Sequence, residues 1–315
     1  MKMSVKYTMA KGVVRAMNMQ KLMAMPYEKL KKQFKTGEKG PQIPRLSDPD
    51  FEFTTTQMKG SKVLFIKHKE ATNQVCIYLT GGGMLKYPKP QQAREVLKLA
   101  KISGRDMILP YYPLCDRHGL LDVYDMLYAL YQETISVYDP DHILLLGGSS
   151  GANLALGLVS FIHSKNEGLR LPGMAYLCSP GTLLVSEKEK EMAEMLEKRD
   201  LIMSRKATET IQEGMEAGQD VPVFLKYLQL GNYRGLKEAY LCFDGDEVFA
   251  AAADSIKKRL EECGCNVTCE IGEGLYHCYS LMPFVKEAMP GYERMVEFIS
   301  VNRYLPISTC QTPLK

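Results

Sequence analysis

The chain has 315 residues, 45% of them hydrophobic, enough to bury the core of one large α/β domain with an inserted or appended cap. Its 40 basic and 37 acidic side chains leave a formal charge of only +3 and are scattered rather than striped, which argues against a nucleic-acid partner. Nine cysteines, an odd number, fit a reduced, cytoplasmic protein better than a disulfide framework, and no stretch approaches the ~20 apolar residues of a membrane span.

Residues 1–45 read as an N-terminal cap segment, helical and then loop-like, ending in Gly40-Pro41-Gln42-Ile43-Pro44. Residues 1–27 carry Lys2, Lys6, Lys11, Arg15 and Lys21, with no acidic residue, many methionines and no apolar core of a secretory signal. A transit peptide or a surface-lying amphipathic helix would have this composition. The helical spacing of Val13, Val14 and Met17 predicts instead a helix of the molecule's own cap, packing those residues inward.

The alternating runs 51–57 and 62–67, joined at Lys59-Gly60-Ser61, predict an antiparallel pair. An apolar strand is expected at 75–79, a helix at 91–101 and a strand at 107–109 closed by Pro110. Leu120, Val123, Tyr124, Leu127, Leu130, Tyr131 and Thr134 recur at helical spacing. Strands follow at 143–146, 174–178, 239–243 and 267–271, with helices from Asn153, over 249–262 and over 292–301. Such alternation predicts an α/β fold with a mostly parallel, doubly wound sheet and right-handed crossovers. It stops over 181–236, where the charge run from Ser186 leads into amphipathic helices near Met192 and Thr208. This stretch is read as inserted cap helices over a core of residues 46–180 and 237–315.

The run Leu144-Leu145-Leu146-Gly147-Gly148-Ser149-Ser150-Gly151-Ala152-Asn153 holds Gly-x-Ser-x-Gly between a buried strand and a helix. A sharp strand-to-helix turn at a serine forces strained backbone angles, and Gly147 and Gly151 remove the side chains that would clash. Ser149 is therefore the candidate nucleophile. Upstream, Thr80-Gly81-Gly82-Gly83 follows a buried strand, and main-chain N–H groups of Gly82 and Gly83, with that of Ser150, would form an oxyanion hole.

A serine nucleophile needs a base and an acid to orient it. Of five histidines, His277 lies in the loop after the final strand, at the carboxyl edge of the sheet where open α/β folds bind ligands. His68, His142 and His163 are misplaced for this role, and His118 is at most a substrate contact. Leu241-Cys242-Phe243-Asp244-Gly245-Asp246-Glu247 offers three carboxylates. Asp246 is the predicted acid, because the first residue past a strand turns away while the next position can reach the histidine. Asp244 is the second choice, and Glu247 could cap the following helix. Cys263, Cys265 and Cys269 cluster without the paired spacing of a zinc site.

Over residues 50–300 these features resemble the α/β-hydrolases of the hormone-sensitive-lipase type, which include bacterial carboxylesterases and acetyl esterases. The family's His-Gly-Gly-Gly is matched by residues 80–83 and its Gly-Asp-Ser-Ala-Gly-Gly-Asn by residues 147–153. Its acid motif looks like Asp246-Glu247-Val248, and its late histidine is similar in context to His277. The departures are Thr80 for the family histidine, Gly148 for its aspartate and Ala152 for a glycine. The resemblance implies ester hydrolysis through an acyl-enzyme, without metal or organic cofactor.

Met, Leu and Tyr side chains of the cap predict an apolar pocket. With no large exposed apolar segment evident, small to medium acyl esters are expected rather than long-chain lipids. An amidase or peptidase sharing the triad, or a non-catalytic ligand-binding protein on this fold, are the alternatives. The last strand would leave an edge through which two copies could pair as a homodimer.

Overall fold

The computed structural model describes residues 3–34 and 40–301. Lys2, residues 35–39 of the N-terminal segment and residues 302–315 lie outside that description. The strands are β1 (Phe51–Met58), β2 (Ser61–His68), β3 (Val75–Leu79), β4 (Asp106–Tyr111), β5 (Ile143–Gly148), β6 (Met174–Cys178), β7 (Glu238–Asp244) and β8 (Asn266–Gly272). They form one sheet in the order β1-β2-β4-β3-β5-β6-β7-β8. β1, β2 and β4 pair antiparallel and the remaining neighbours pair parallel. The β1–β2 connection has positive φ at both Lys59 and Gly60, the hairpin turn whose twist matches the strands it joins.

The central strands are apolar runs because helices cover both faces. β5 is buried throughout, as is β6. β4 runs through Pro110 to Tyr111 instead of stopping before the proline. Its pairing with β3 ends at Ile108, so the missing N–H of Pro110 lies beyond that ladder. Helices α1 (Val5–Ala16), α2 (Met19–Met23) and α3 (Tyr27–Phe34) precede the sheet. α4 (Pro90–Ser103), α5 (Leu120–Ile135) and α6 (Ser150–Ser164) follow in its first half, and α6 is buried from Ser150 to Ile162.

Between β6 and β7 lie α7 (Glu187–Glu197), α8 (Arg205–Glu216) and the short α9 (Val223–Lys226). α7 starts with a capping box: Ser186 Oγ accepts from the Glu189 N–H and the Glu189 carboxylate accepts from the Ser186 N–H. α8 carries Gly214 where the ring of Tyr27 from α3 lies directly on it, so the N-terminal and inserted helices pack on each other. After β7 come a 3₁₀ turn (Val248–Ala252), α10 (Ala253–Glu262) and, past β8, α11 (Met289–Ile299).

The N-terminal helix forms, but only part of the expected face turns inward. Val14 lines a small cavity beside Glu247 and His277, whereas Val13 and Met17 are exposed and Tyr7 is buried. Polar tethers decide the orientation: the Ser4 N–H donates to Glu287 (2.6 Å), Tyr7 Oη donates to the Leu275 carbonyl (2.6 Å) and Lys11 pairs with Asp246 (3.4 Å). The expectation of no large exposed apolar segment fails on the same face.

Arg105, buried at the start of β4, joins three segments. Its guanidinium donates to the carbonyls of Ile299 (2.6 Å) and His142 (3.1 Å) and to Gln74 (2.7 Å). Arg105→Met leaves these acceptors without donors, and chemical denaturation should register a loss of about 2–4 kcal/mol; an unchanged midpoint would show that the network contributes nothing.

Candidate active site

β5 delivers Ser149 to the carboxyl edge of the sheet and α6 begins one residue later, leaving the serine at φ 55°, ψ −124°. For a residue with a Cβ this conformation costs about 1–3 kcal/mol and persists only where the surroundings impose it. A Cβ on Gly151 would overlap the Leu79 carbonyl, and one on Gly147 would overlap the Gly151 carbonyl. The Ser149 N–H donates to the Cys178 carbonyl (2.8 Å), pinning the turn to β6. α6 starts at Ser150, so the positive end of its backbone dipole lies at the serine turn.

The glycine loop crosses directly in front of this turn. A Cβ on Gly81 would come within 2.7 Å of the Gly148 carbonyl, and Gly82 adopts φ 124°, a value that L side chains rarely adopt. The Met84 N–H donates to Ser150 Oγ (3.3 Å), tying the loop to the residue after Ser149. Thr80 is buried and its hydroxyl has no partner among the described residues, while its carbonyl accepts from Tyr112 Oη (2.6 Å). Tyr112 thus supports the loop at Thr80. Gly148 is likewise accounted for by packing, since a Cβ there would lie 2.6 Å from Leu281 Cδ1.

His277 Nδ1 meets Glu247 Oε2 at 2.6 Å, and both side chains are largely buried. The carboxylate facing the histidine is therefore Glu247, not Asp246. Asp246 turns the other way, to Lys11 (3.4 Å) and Arg199 (3.2 Å). Asp244 accepts the Leu275 N–H (2.8 Å), and its own N–H donates to Glu247 Oε1 (3.0 Å). Gly245 and Asp246 form the outer side of the turn, and Glu247, one position later and one methylene longer, returns beneath the imidazole. Asp200, from the segment between α7 and α8, accepts the Val248 N–H (2.8 Å) and braces the same loop.

Burial of the His277 imidazole opposes its protonation, but the hydrogen bond and charge of Glu247, with Asp200 and Asp244 behind it, outweigh burial and raise its pKa. Burial, then the charge of Glu247, pushes Asp244 up to about 7. Burial likewise raises Asp200.

Ser149, His277, Gly82, Gly83 and Ser150 all line one cavity of about 350 Å³. No hydrogen bond joins Ser149 Oγ to His277 here; catalytic contacts of this kind commonly tighten only with substrate bound. Met19 and Met23 of α2, Phe34 of α3 and Ile211 and Met215 of α8 line the same cavity, joined by Met203, Phe249 and Leu281. Lys86, its Nζ 4.0 Å from the centre of the Phe34 ring, is the cation among these residues, and burial lowers its pKa. His118 lies outside the cavity, half exposed beside Asp122.

A family profile described as alpha/beta hydrolase fold matches residues 76–281. The chain belongs to the α/β-hydrolase fold family. Among solved structures, this α/β hydrolase superposes on an esterase from the bacterial hormone-sensitive lipase family with a TM-score of 0.73 at 19% identity, covering 95% of this chain and 98% of that one. It also superposes on EstE5, soaked with p-nitrophenyl butyrate, with a TM-score of 0.75 at 18% identity over 94% and 98%. A hormone-sensitive lipase from a metagenome library gives 0.72 at 19% identity over 95% and 99%. At these identities the likeness is one of fold. No curated protein sequence matches the chain.

The electrostatics of this site make a direct prediction. Removing the Glu247 charge by Glu247→Gln takes away what favours the imidazolium, so the His277 pKa falls. Asp246→Asn, which removes a charge bound to Lys11 and Arg199, moves it much less. NMR titration of the His277 ring checks both, and equal shifts would contradict the pairing.

Proposed function

We propose that this protein is a serine carboxylesterase of the hormone-sensitive-lipase type, hydrolysing small to medium acyl esters through an acyl-enzyme on Ser149. The observation that carries the reading is a serine in a strained strand-to-helix turn sharing one cavity with a histidine whose other nitrogen is held by a buried carboxylate. In the mechanism, Ser149 Oγ attacks the ester carbonyl carbon as His277 Nε2 takes its proton. Glu247 fixes the tautomer and stabilises the imidazolium. The carbonyl oxygen, now negative, accepts from the N–H groups of Gly82, Gly83 and Ser150, each such donor being worth ~3 kcal/mol of barrier.

The imidazolium then protonates the departing alcohol oxygen as the tetrahedral intermediate collapses. A water, deprotonated in turn by His277, adds to the acyl carbon; the bond from that carbon to Ser149 Oγ then breaks, the acid leaves, and the imidazolium returns the proton to Oγ. This cycle needs no cofactor. The cavity's size and its methionine, leucine and phenylalanine lining support small to medium, adaptable acyl groups. The N-terminal segment and residues 181–236 act together as the cap, a reading supported by the contact of Tyr27 with Gly214 and by cavity walls drawn from both. A cytoplasmic location is supported by eight free cysteines among the described residues. Pairing of two copies through β8, which has a neighbour on one side only, belongs to the same reading.

Wild-type protein should hydrolyse a chromogenic acetate ester, and Ser149→Ala should lower kcat by at least about 10³-fold. Equal inactivity of the two, or retained activity in the variant, would overturn the esterase reading. Because the base must be neutral, kcat/KM should rise with pH through a pKa above the ordinary histidine value of about 6.5. Glu247→Gln should shift that limb to lower pH while reducing kcat by roughly 10³–10⁴-fold, and Asp246→Asn should leave both largely in place.

A further inference from the structure

Helix α1 presents its apolar side to solvent. At 3.6 residues per turn, Val5, Met9, Gly12, Val13 and Ala16 share about a third of the circumference, with Lys6 and Arg15 at the two margins. Val5 is 77% exposed, Met9 67%, Val13 60% and, at the end of the stripe, Met17 63%. The other side, through Tyr7, Lys11 and Val14, lies against the loops that carry His277 and Glu247 and lines a small cavity beside them. Soluble proteins seldom leave a stripe of this length uncovered without using it.

We propose that α1 docks the protein on an anionic lipid surface, lying in the headgroup region with the Val5, Met9, Val13 and Met17 stripe at the acyl boundary. Charge selects this occupant. Residues 1–27 hold five cations and no carboxylate; Lys11 is engaged with Asp246, whereas Lys6, Arg15 and Lys21 are exposed. An apolar arc with cations at its margins matches acyl chains beneath phosphate headgroups. A second copy of the chain docked about a two-fold axis would set the cations of one α1 against those of the other.

The inward side of the same helix abuts the loop at the mouth of the site. The Tyr7 ring lies 6.4 Å from that of Tyr276, which stacks at 4.6 Å on Phe284. Phe284 is 50% exposed and Met282 43%, and Met282 lines both the small cavity and the cavity of Ser149. A docked molecule would therefore draw its substrate from neutral esters dissolved in the membrane. That consequence rests on the esterase reading; the docking itself does not.

The test uses the full chain carrying Ser149→Ala, so that binding is read without hydrolysis. It is sedimented with vesicles of phosphatidylcholine alone and of phosphatidylcholine mixed with phosphatidylglycerol. The protein should pellet with the anionic vesicles, more weakly in high salt and much less with phosphatidylcholine alone. Met9→Ser/Val13→Ser should weaken binding more than about tenfold at an unchanged unfolding midpoint, because both side chains are exposed in the free protein. Lys6→Gln/Arg15→Gln should weaken it and reduce its salt dependence. Failure to pellet with anionic vesicles, or undiminished binding by either double variant, overturns the proposal. So does a dimer in solution that Met9→Ser/Val13→Ser dissociates, since the stripe would then be covered by a second copy.

Discussion

The backbone of Ser149 is the constraint on which the remaining geometry of the site depends. A residue at φ 55°, ψ −124° between β5 and α6 is held only because the chain passes too close on both sides for any side chain at Gly147 or Gly151. The Gly151 contact is with Leu79, the last residue of β3, so the strand that ends in the glycine loop is also the strand that enforces the serine's turn. Burying α6 along nearly its whole length fixes the direction of the turn. Strain at Ser149 and the course of the glycine loop beside it therefore have one cause.

Around His277 the fold gathers buried carboxylates. Glu247 meets the imidazole, and Asp244 and Asp200 brace the loop from behind through main-chain N–H groups. The cost shows in Asp244, whose pKa is raised to about 7 by burial and by Glu247. A carboxyl with a raised folded-state pKa is most favourable to the fold when protonated, so its ionisation destabilises the fold progressively as pH rises from about 4 to 7. His277 has the same sign: its raised pKa contributes stability below the ordinary histidine value and loses it as pH rises through the folded-state pKa. Catalysis in the proposed cycle needs the neutral imidazole, so the conditions that favour the base are not those that most favour this cluster.

Most of the sheet was legible because parallel strands covered on both faces leave continuous apolar runs, as at 143–146 and 174–178, and such runs have few competing readings. Ser149, the glycine loop and His277 were legible for a related reason: each follows a strand, and the carboxyl edge is where strand ends converge. The acid was not. Asp244, Asp246 and Glu247 lie within one turn, and sequence order cannot tell which way Gly245 swings it. A strand-end rule puts Asp246 inward, but the Gly272 carbonyl accepts the Gly245 N–H (2.6 Å) and Lys11 draws Asp246 outward. The facing of the N-terminal helix is hard to read for a comparable reason. Apolar periodicity locates an apolar face, but here Ser4, Tyr7 and Lys11 bind the protein through polar tethers and turn that face to solvent.

Reaction with an aryl organophosphate, followed by peptide mass spectrometry, tests the central claim most directly, because it requires the activated serine and not the natural substrate. The account predicts a single phosphoryl adduct on Ser149, forming far more slowly in Glu247→Gln and at nearly the wild-type rate in Asp246→Asn. An adduct elsewhere, none at all, or equal slowing by the two substitutions would contradict it.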